Sequence, residues 1–227
     1  SWQAVVSTLA TFVIGMPIAG VIARYDFRVH ALLRVLATVP FVLPTVVVAS
    51  AFLSLEGAFG LEGGPLAIRG TVWGIVAAHV FFNVAVVVRT GGGWWTQLDD
   101  RPEAAARSLG AHPARVFLEV SLPRLRPAML AAAAIVFLFT FSSFGVVLLL
   151  GNLRRATIET EIWRYAVTRT DFETAAALGI LQLLVIGSML IVNTRLQRRL
   201  TVAEQTRAGR RLRPVTWHQR GHVIGAA

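Results

Sequence analysis

Five long apolar runs alternate with polar segments along the chain, and each run is long enough to cross a membrane as a helix. About 20 helical residues span about 30 Å of hydrocarbon, because each residue adds about 1.5 Å. No Asp, Glu or Arg interrupts these runs. The predicted spans are residues 3–22, 35–55, 71–88, 128–150 and 174–194. The pattern predicts an all-α, polytopic membrane domain of five transmembrane helices within residues 1–199.

Prolines and glycines mark places where the predicted helices bend or end. Pro17 should kink the first span, and lost backbone hydrogen bonds in lipid must be satisfied by neighbouring helices. Pro40 and Pro44 either bend the first half of the second span or mark the place where its helix begins near Pro40. The run Gly91-Gly92-Gly93 after the third span predicts a turn, and Trp94-Trp95 fit an interfacial aromatic belt.

A few polar side chains fall inside the spans. His79 and Asn83 are four residues apart and therefore share one helix face. Polar groups at membrane depth either hydrogen-bond to another helix or face a water-filled path, and both explanations stay open here. Small and aromatic residues in the fourth span could line the same path. The candidate pathway residues are His79, Asn83, Ser142, Ser143 and Phe144.

The polar segment 99–127 has the punctuation of two short helices joined by a sharp corner. Asp100 can cap the first helix, with Pro102 in its opening turn and Glu103 placed for a capping box. Gly110 suits a left-handed residue at the end of that helix. A second helix is predicted from Pro113 to about Glu119, closed by Leu122-Pro123.

Composition agrees with a membrane protein and excludes several kinds of chemistry. The 227 residues are 55% hydrophobic with a mean hydropathy of +0.64, and 15% are charged, against about 25% in soluble domains. The net charge of +10 comes from arginine alone, so the chain lacks the lysine that a P-loop requires. There is no cysteine. His218 and His222 are four apart, but the tail offers no further ligand, so no metal site or cofactor is predicted.

Arginines are distributed unequally between the two sides that alternating spans define. The loop after the first span (23–34), the segment 89–127 and the C-terminal stretch 195–227 carry 3, 6 and 8 arginines, which makes 17 of the 22. The other two loops carry 5. The positive-inside rule therefore predicts that 99–127 and the tail, residues 200–227, are cytoplasmic. The polar segment 152–173 is predicted to contain a short helix outside the membrane on the opposite side.

The segment 99–127 resembles the EAA loop of ABC importer permeases. Gly110, nine residues and then Val120, Leu122 and Pro123 resemble its second half. Its first half is matched by Ala105 and Ala106, whereas the usual glutamate position holds Ala104 and the acid lies one residue earlier, at Glu103. This resemblance implies the type I ABC importer permease fold, and a loop that docks into a groove on a separate ATPase subunit.

A series of three runs resembles the first half of the fused permeases of the iron(III) and thiamine branch. The runs are FTFSSFGVVLLLGN at residues 139–152, ATIETEIWRYAV at 156–167 and AAALGILQLL at 175–184. The resemblance implies a bacterial inner-membrane permease that is not itself an enzyme, with iron(III) or thiamine as its solute. It also implies ABC ATPase subunits, an extracytoplasmic solute-binding protein and a second permease half or subunit as partners. The chain begins at Ser1 and is expected to be the N-terminal half of a longer permease.

Two other functions fit the composition less well. An ion-gradient secondary transporter usually needs carboxylates or cation sites within its spans and often internal repeats, and neither is evident. A membrane enzyme would need a nucleophile with a base, or a metal cluster. The arginine-rich tail could bind nucleic acid, but proximity to anionic membrane lipid explains it more simply, so no nucleic-acid partner is predicted.

Overall fold

The chain folds into helices joined by short turns, as a computed structural model describes for residues 2–24, 35, 39–64 and 66–209. No strand occurs in that part of the chain. The helices are α1 (Trp2–Arg24), α2 (Thr45–Ala58), α3 (Val72–Trp95), α4 (Arg101–Ser108), α5 (Pro113–Phe141), α6 (Gly145–Leu150), α7 (Ile158–Trp163) and α8 (Phe172–Gly209).

Within the described residues, four helices are long and apolar enough to cross a membrane, namely α1, α3, α5 and the first part of α8, Phe172–Arg195. The predicted second span is less regular. Pro44 is extended (φ −57°, ψ 137°), and α2 begins immediately after it and has 14 residues. A separate helical turn covers 39–42, and residues 36–38 lie outside the described part. Pro44 therefore stands at an interruption of the helix, whereas Pro40 lies within the helical turn before it.

Two predicted boundaries around the fourth span are wrong. Leu122-Pro123 does not end a helix, because α5 continues from Pro113 through Pro123 to Phe141. A π-helical turn just before Pro123 explains this. The turn covers Phe117–Ser121, and the Leu122 N–H donates a hydrogen bond to the Phe117 carbonyl. This wider turn replaces the regular hydrogen bonds that a proline disrupts. The span 128–150 is not one helix either, since it breaks at 142–144 before α6 begins.

Helices α1 and α3 run parallel and pack closely along small residues. A Cβ on Gly15 would lie 2.9 Å from Val87 Cβ, so a glycine is required for this approach. The predicted turn at Gly91-Gly92-Gly93 is wrong, because all three residues are helical and Gly91 and Gly92 are buried. A Cβ on Gly92 would lie 3.7 Å from the Ala19 carbonyl oxygen. Glycines that look like a turn in the sequence therefore serve helix packing.

The remaining helices form two further pairs. Helix α2 packs against α6 and the start of α3, through Ala49, Ile75 and Val146. Glu56, near the end of α2, is buried and accepts hydrogen bonds from the backbone N–H groups of Ile68 and Arg69, at 2.6 and 3.2 Å from its Oε1. Helix α7, the short helix expected within 152–173, packs against α8.

Glu159 on α7 is half-buried against α8 and accepts a hydrogen bond from Gln182. Burial raises the pKa of Glu159, and the hydrogen bonds from Gln182 and neighbouring groups oppose this only in part. Because the pKa is raised in the folded protein, the stabilising contribution of protonated Glu159 is present at acidic pH and is lost as the pH rises through the folded pKa.

We therefore expect Glu159→Gln to raise the Tm at pH 7.5 by about 2 °C. The gain should vanish near pH 4, where glutamate itself is protonated. Thermal unfolding in detergent at both pH values measures it. Glu173→Gln, an exposed change at the start of α8, serves as the control and should show no such pH dependence. A Glu159→Gln protein that is less stable at pH 7.5 would contradict this account.

Candidate functional site

The corner predicted within 99–127 is present, but its first helix is capped differently. Gly110 has φ +81°, the left-handed conformation expected of it. Asp100 makes no side-chain cap, and Asp99 Oδ1 instead accepts a hydrogen bond from the Arg101 N–H at 3.0 Å. The predicted capping box does not form, because Glu103 turns inward.

Glu103 is buried, with 5% of its surface exposed, and its carboxylate accepts hydrogen bonds from two other helices and from its own helix α4. Arg24, at the end of α1, donates to both carboxylate oxygens. Ser121 Oγ on α5 donates to Oε1 at 2.6 Å, and Arg107 on α4 donates to Oε2 at 3.4 Å. The carboxylate is thus satisfied within the chain, and the positive charge of Arg24 offsets its burial.

The end of α3 completes the same arrangement. The Arg24 guanidinium lies 5.1 Å from the ring centroid of Trp95, and Trp95 stacks on Phe117 with centroids 5.8 Å apart. Trp95 is therefore buried and packs inward, unlike the belt residue that the sequence predicted, whereas Trp94 is exposed. We call Arg24, Trp95, Glu103, Phe117 and Ser121 the Glu103 cluster. A cavity of about 330 Å³ borders it.

The outer surface of the corner is apolar with a few charges around it. Leu109, one residue before the corner glycine, is 89% exposed, and Ala104, Ala105 and Leu118 are exposed as well. The other predicted loop residues differ in exposure: Ala106, Val120 and Leu122 are half-buried, and Pro123 is exposed. Sequence reasoning grouped all of these with Glu103, but the structure separates an exposed face from a buried carboxylate.

The candidate pathway residues occupy two places. His79 is 2% exposed, its Nδ1 lies 3.1 Å from Ser7 Oγ on α1, and Asn83 donates to the His79 carbonyl at 2.9 Å. This geometry favours hydrogen bonding between helices for His79, whereas the hydrogen bond of Asn83 stays within α3. Ser142, Ser143 and Phe144 form the break between α5 and α6, where the Ser143 carbonyl accepts from Thr157 Oγ1 at 3.3 Å.

Side chains suited to a metal ion are not grouped in the described ranges: no three His, Cys, Asp or Glu residues there form such a cluster. His218 and His222 lie outside those ranges, as does residue 210 onward of the predicted tail. The charged groups of the Glu103 cluster, Arg24 and Glu103, pair with each other. The cluster therefore holds helices together through an ion pair and hydrogen bonds.

Comparison with known families decides the class of this chain. The profile of binding-protein-dependent transport system inner membrane components matches residues 12–202. The chain belongs to this family. It is therefore an ABC importer permease of the inner-membrane type, as the EAA-like loop implied.

Similar permeases in this family are named for the transport of sulfate or molybdenum. The chain is 32% identical over 195 residues to the sulfate transport system permease protein CysT of Salmonella typhimurium, covering 83% of this chain and 70% of that protein. It is 31% identical over 197 residues to the molybdenum transport system permease protein ModB of Mycobacterium tuberculosis, covering 83% and 73%. The iron(III) and thiamine branch is not supported by these relatives, and neither is the expected N-terminal half of a fused permease.

Solved structures show the same fold at low sequence identity. A chain of the MetNI methionine ABC transporter, in an inward-facing conformation, aligns with a TM-score of 0.65 and 15% identity over 87% of this permease and 90% of that chain. A chain of the bacterial alginate ABC transporter in complex with an alginate-bound periplasmic protein aligns with a TM-score of 0.66 and 15% identity, covering 88% and 77%.

Proposed function

We propose that this protein is the permease subunit of a binding-protein-dependent ABC importer for a tetrahedral oxyanion such as sulfate or molybdate. The observation that carries the solute class is the likeness to CysT and ModB over 83% of the chain. This solute replaces the iron(III) or thiamine that the sequence resemblance implied. Family membership supports the transport function itself.

The exposed corner is the proposed contact with an ATPase subunit. Leu109 and Leu118 are large apolar side chains exposed on a polar segment, and a partner that removed them from water would gain binding energy from their burial. Arg101, Arg107 and Arg115 surround them and are exposed. A groove with apolar walls and an acidic rim on the ATPase would complement this surface.

The proposed topology has five spans, with α2 and the residues before it making the shorter second one. The distribution of 17 and 5 arginines supports a cytoplasmic corner and tail. On that topology, the segment containing α7 faces the other side, where a solute-binding protein would deliver the oxyanion. A second permease subunit would complete the pathway, and the candidate pathway residues remain proposals.

The experiment measures uptake by the purified permease reconstituted with its cognate ATPase and binding protein in proteoliposomes. We expect ATP-dependent accumulation of labelled sulfate or molybdate. Leu109→Glu should weaken recovery of the ATPase with the permease by about 30-fold, because burying a leucine contributes about 2 kcal/mol. Uptake should fall with it.

Leu66→Glu is the matched control, because Leu66 is a leucine in the segment between α2 and α3 that is 70% exposed, and this change should leave ATPase recovery unchanged. Uptake driven by an ion gradient without ATP would favour a secondary transporter instead. ATP-dependent uptake of iron(III) or thiamine, but not of oxyanions, would contradict the proposed solute while leaving the transport class intact.

A further inference from the structure

We propose that Glu103 is a positioning residue that clamps α4 to the ends of α1 and α5, and that it makes no contact with the ATPase. This inference rests on the proposed function, because it assigns one role within the ATPase-docking corner. It divides the EAA-like segment into an outer face that binds the partner and an inner carboxylate that fixes the position of that face.

Burial of the carboxylate is the first argument. The Glu103 side chain is 6% exposed and accepts hydrogen bonds from Arg24, Ser121 and Arg107. A residue of another subunit could reach it only by displacing these donors, and an unpaired Arg24 would then remain. The same segment contains an opposite case: Glu119 is 61% exposed and pairs with Arg115 at 2.9 Å on the surface.

The π-helical turn is the second argument, because it sets the direction of Ser121. One extra residue in a helical turn rotates everything beyond it by about 100° relative to a regular helix. Ser121 is the last residue of the turn, is 0% exposed and donates to Glu103 Oε1. The irregular turn thus coincides with the residue that meets the carboxylate, as π-helical turns at functional sites often do.

The cluster joins the corner to one particular part of the membrane domain. Arg24 ends α1, Trp95 ends α3, and Ser121 lies in α5, and these three long helices pack against one another. Helix α2 packs mainly against α6, and α7 against α8. A push on α4 is therefore passed to α1, α3 and α5 together, through a contact made of charge and close packing.

The test compares Glu103→Gln and Ser121→Ala with the surface control Glu119→Gln in the reconstituted transporter. The ratio of solute transported to ATP hydrolysed is measured on assembled complexes only, so that misfolded protein does not contribute to the ratio. We expect Glu103→Gln to lower this ratio about tenfold, because hydrogen bonds to charged groups contribute about that factor. Ser121→Ala should lower it by a smaller factor, and Glu119→Gln should not change it.

Two further readouts separate a clamp from a partner contact. ATPase recovery with the permease should stay at the unsubstituted level in all three variants. The double variant Glu103→Gln/Ser121→Ala should be no worse than Glu103→Gln alone, since both changes remove the same linkage. Because Ser121 is fully buried, its effect cannot come from a surface contact.

Loss of ATPase recovery in Glu103→Gln but not in Ser121→Ala would overturn the inference and make Glu103 a partner contact. An unchanged transport ratio in Glu103→Gln would overturn it as well. If instead the unsubstituted permease recovers no ATPase and transports nothing with ATP, the proposed function itself fails. The failure of the clamp and the failure of the transporter are therefore distinct results.

Discussion

Gly74→Ala is expected to prevent the permease from accumulating as a folded protein. An alanine Cβ at this position in the first turn of α3 would overlap with the Ile68 carbonyl oxygen. That carbonyl accepts a hydrogen bond from Thr71 Oγ1 at 2.9 Å, and the Ile68 N–H is held by Glu56. Because backbone on both sides is fixed, we expect a loss of about 3 kcal/mol. Thermal unfolding and the yield of monodisperse protein in detergent measure it.

The same substitution elsewhere in α3 provides a control with the opposite expected sign. Gly93 is helical, and a Cβ there would meet nothing within 4 Å. Gly93→Ala should therefore stabilise the protein by about 0.5–1 kcal/mol, since glycine is unfavourable inside a helix. Equal stability of the two variants would show that the close approach at Gly74 does not constrain the fold.

Gly110→Val is expected to abolish most transport while leaving the membrane helices folded. A Cβ at Gly110 would meet nothing within 4 Å, so the entire penalty comes from its φ of +81°. A residue with a side chain pays about 1–2 kcal/mol in the left-handed region, and a β-branched one more. A strain of this size disfavours the docked corner about tenfold or more. Uptake and ATPase recovery in proteoliposomes measure the effect.

Gly110→Asn is the matched control, because asparagine tolerates the left-handed conformation better than other residues with side chains. It should keep most of the uptake. The Tm of Gly110→Val should stay close to that of the unsubstituted permease, since the corner is exposed. Full transport by Gly110→Val would mean that the corner need not keep this shape for coupling.

Features with a local physical cause could be predicted from the sequence. The long apolar runs predicted α1, α3 and the apolar part of α8, because lipid requires continuous helical hydrogen bonding over about 20 residues. Gly110 was predicted as left-handed because a glycine after a short polar helix commonly ends it in this way. These inferences need only neighbouring residues, which a single sequence supplies.

Features that depend on distant contacts could not be predicted. Nothing in the spacing pairs Arg24 with Glu103, which are 79 residues apart. The glycines at 91–93 look like a turn until α1 is placed beside them. Pro123 normally ends a helix, and only the π-helical turn before it allows α5 to continue. In each case tertiary packing overrides a local preference.

The solute was also beyond the sequence pattern. Hydropathy and arginine counts describe how a chain sits in a membrane, and they are the same whether the cargo is a cation or an oxyanion. The resemblance to the iron(III) and thiamine branch relied on the runs at residues 139–152, 156–167 and 175–184, none of which identifies a solute. Relatives over most of the chain gave the oxyanion class instead.

The break at 142–144 divides the predicted fourth span into two helices, α5 and α6, joined by a three-residue linker. Helix α5 packs with α1 and α3, whereas α6 packs with α2 and with the first part of α3. Rotation about backbone bonds of these three residues would tilt one helix relative to the other without stretching the hydrogen bonds inside either helix. On the proposed topology, a motion that starts at the cytoplasmic corner would be passed along α5 as far as this break, so the two ends of the proposed pathway need not open together.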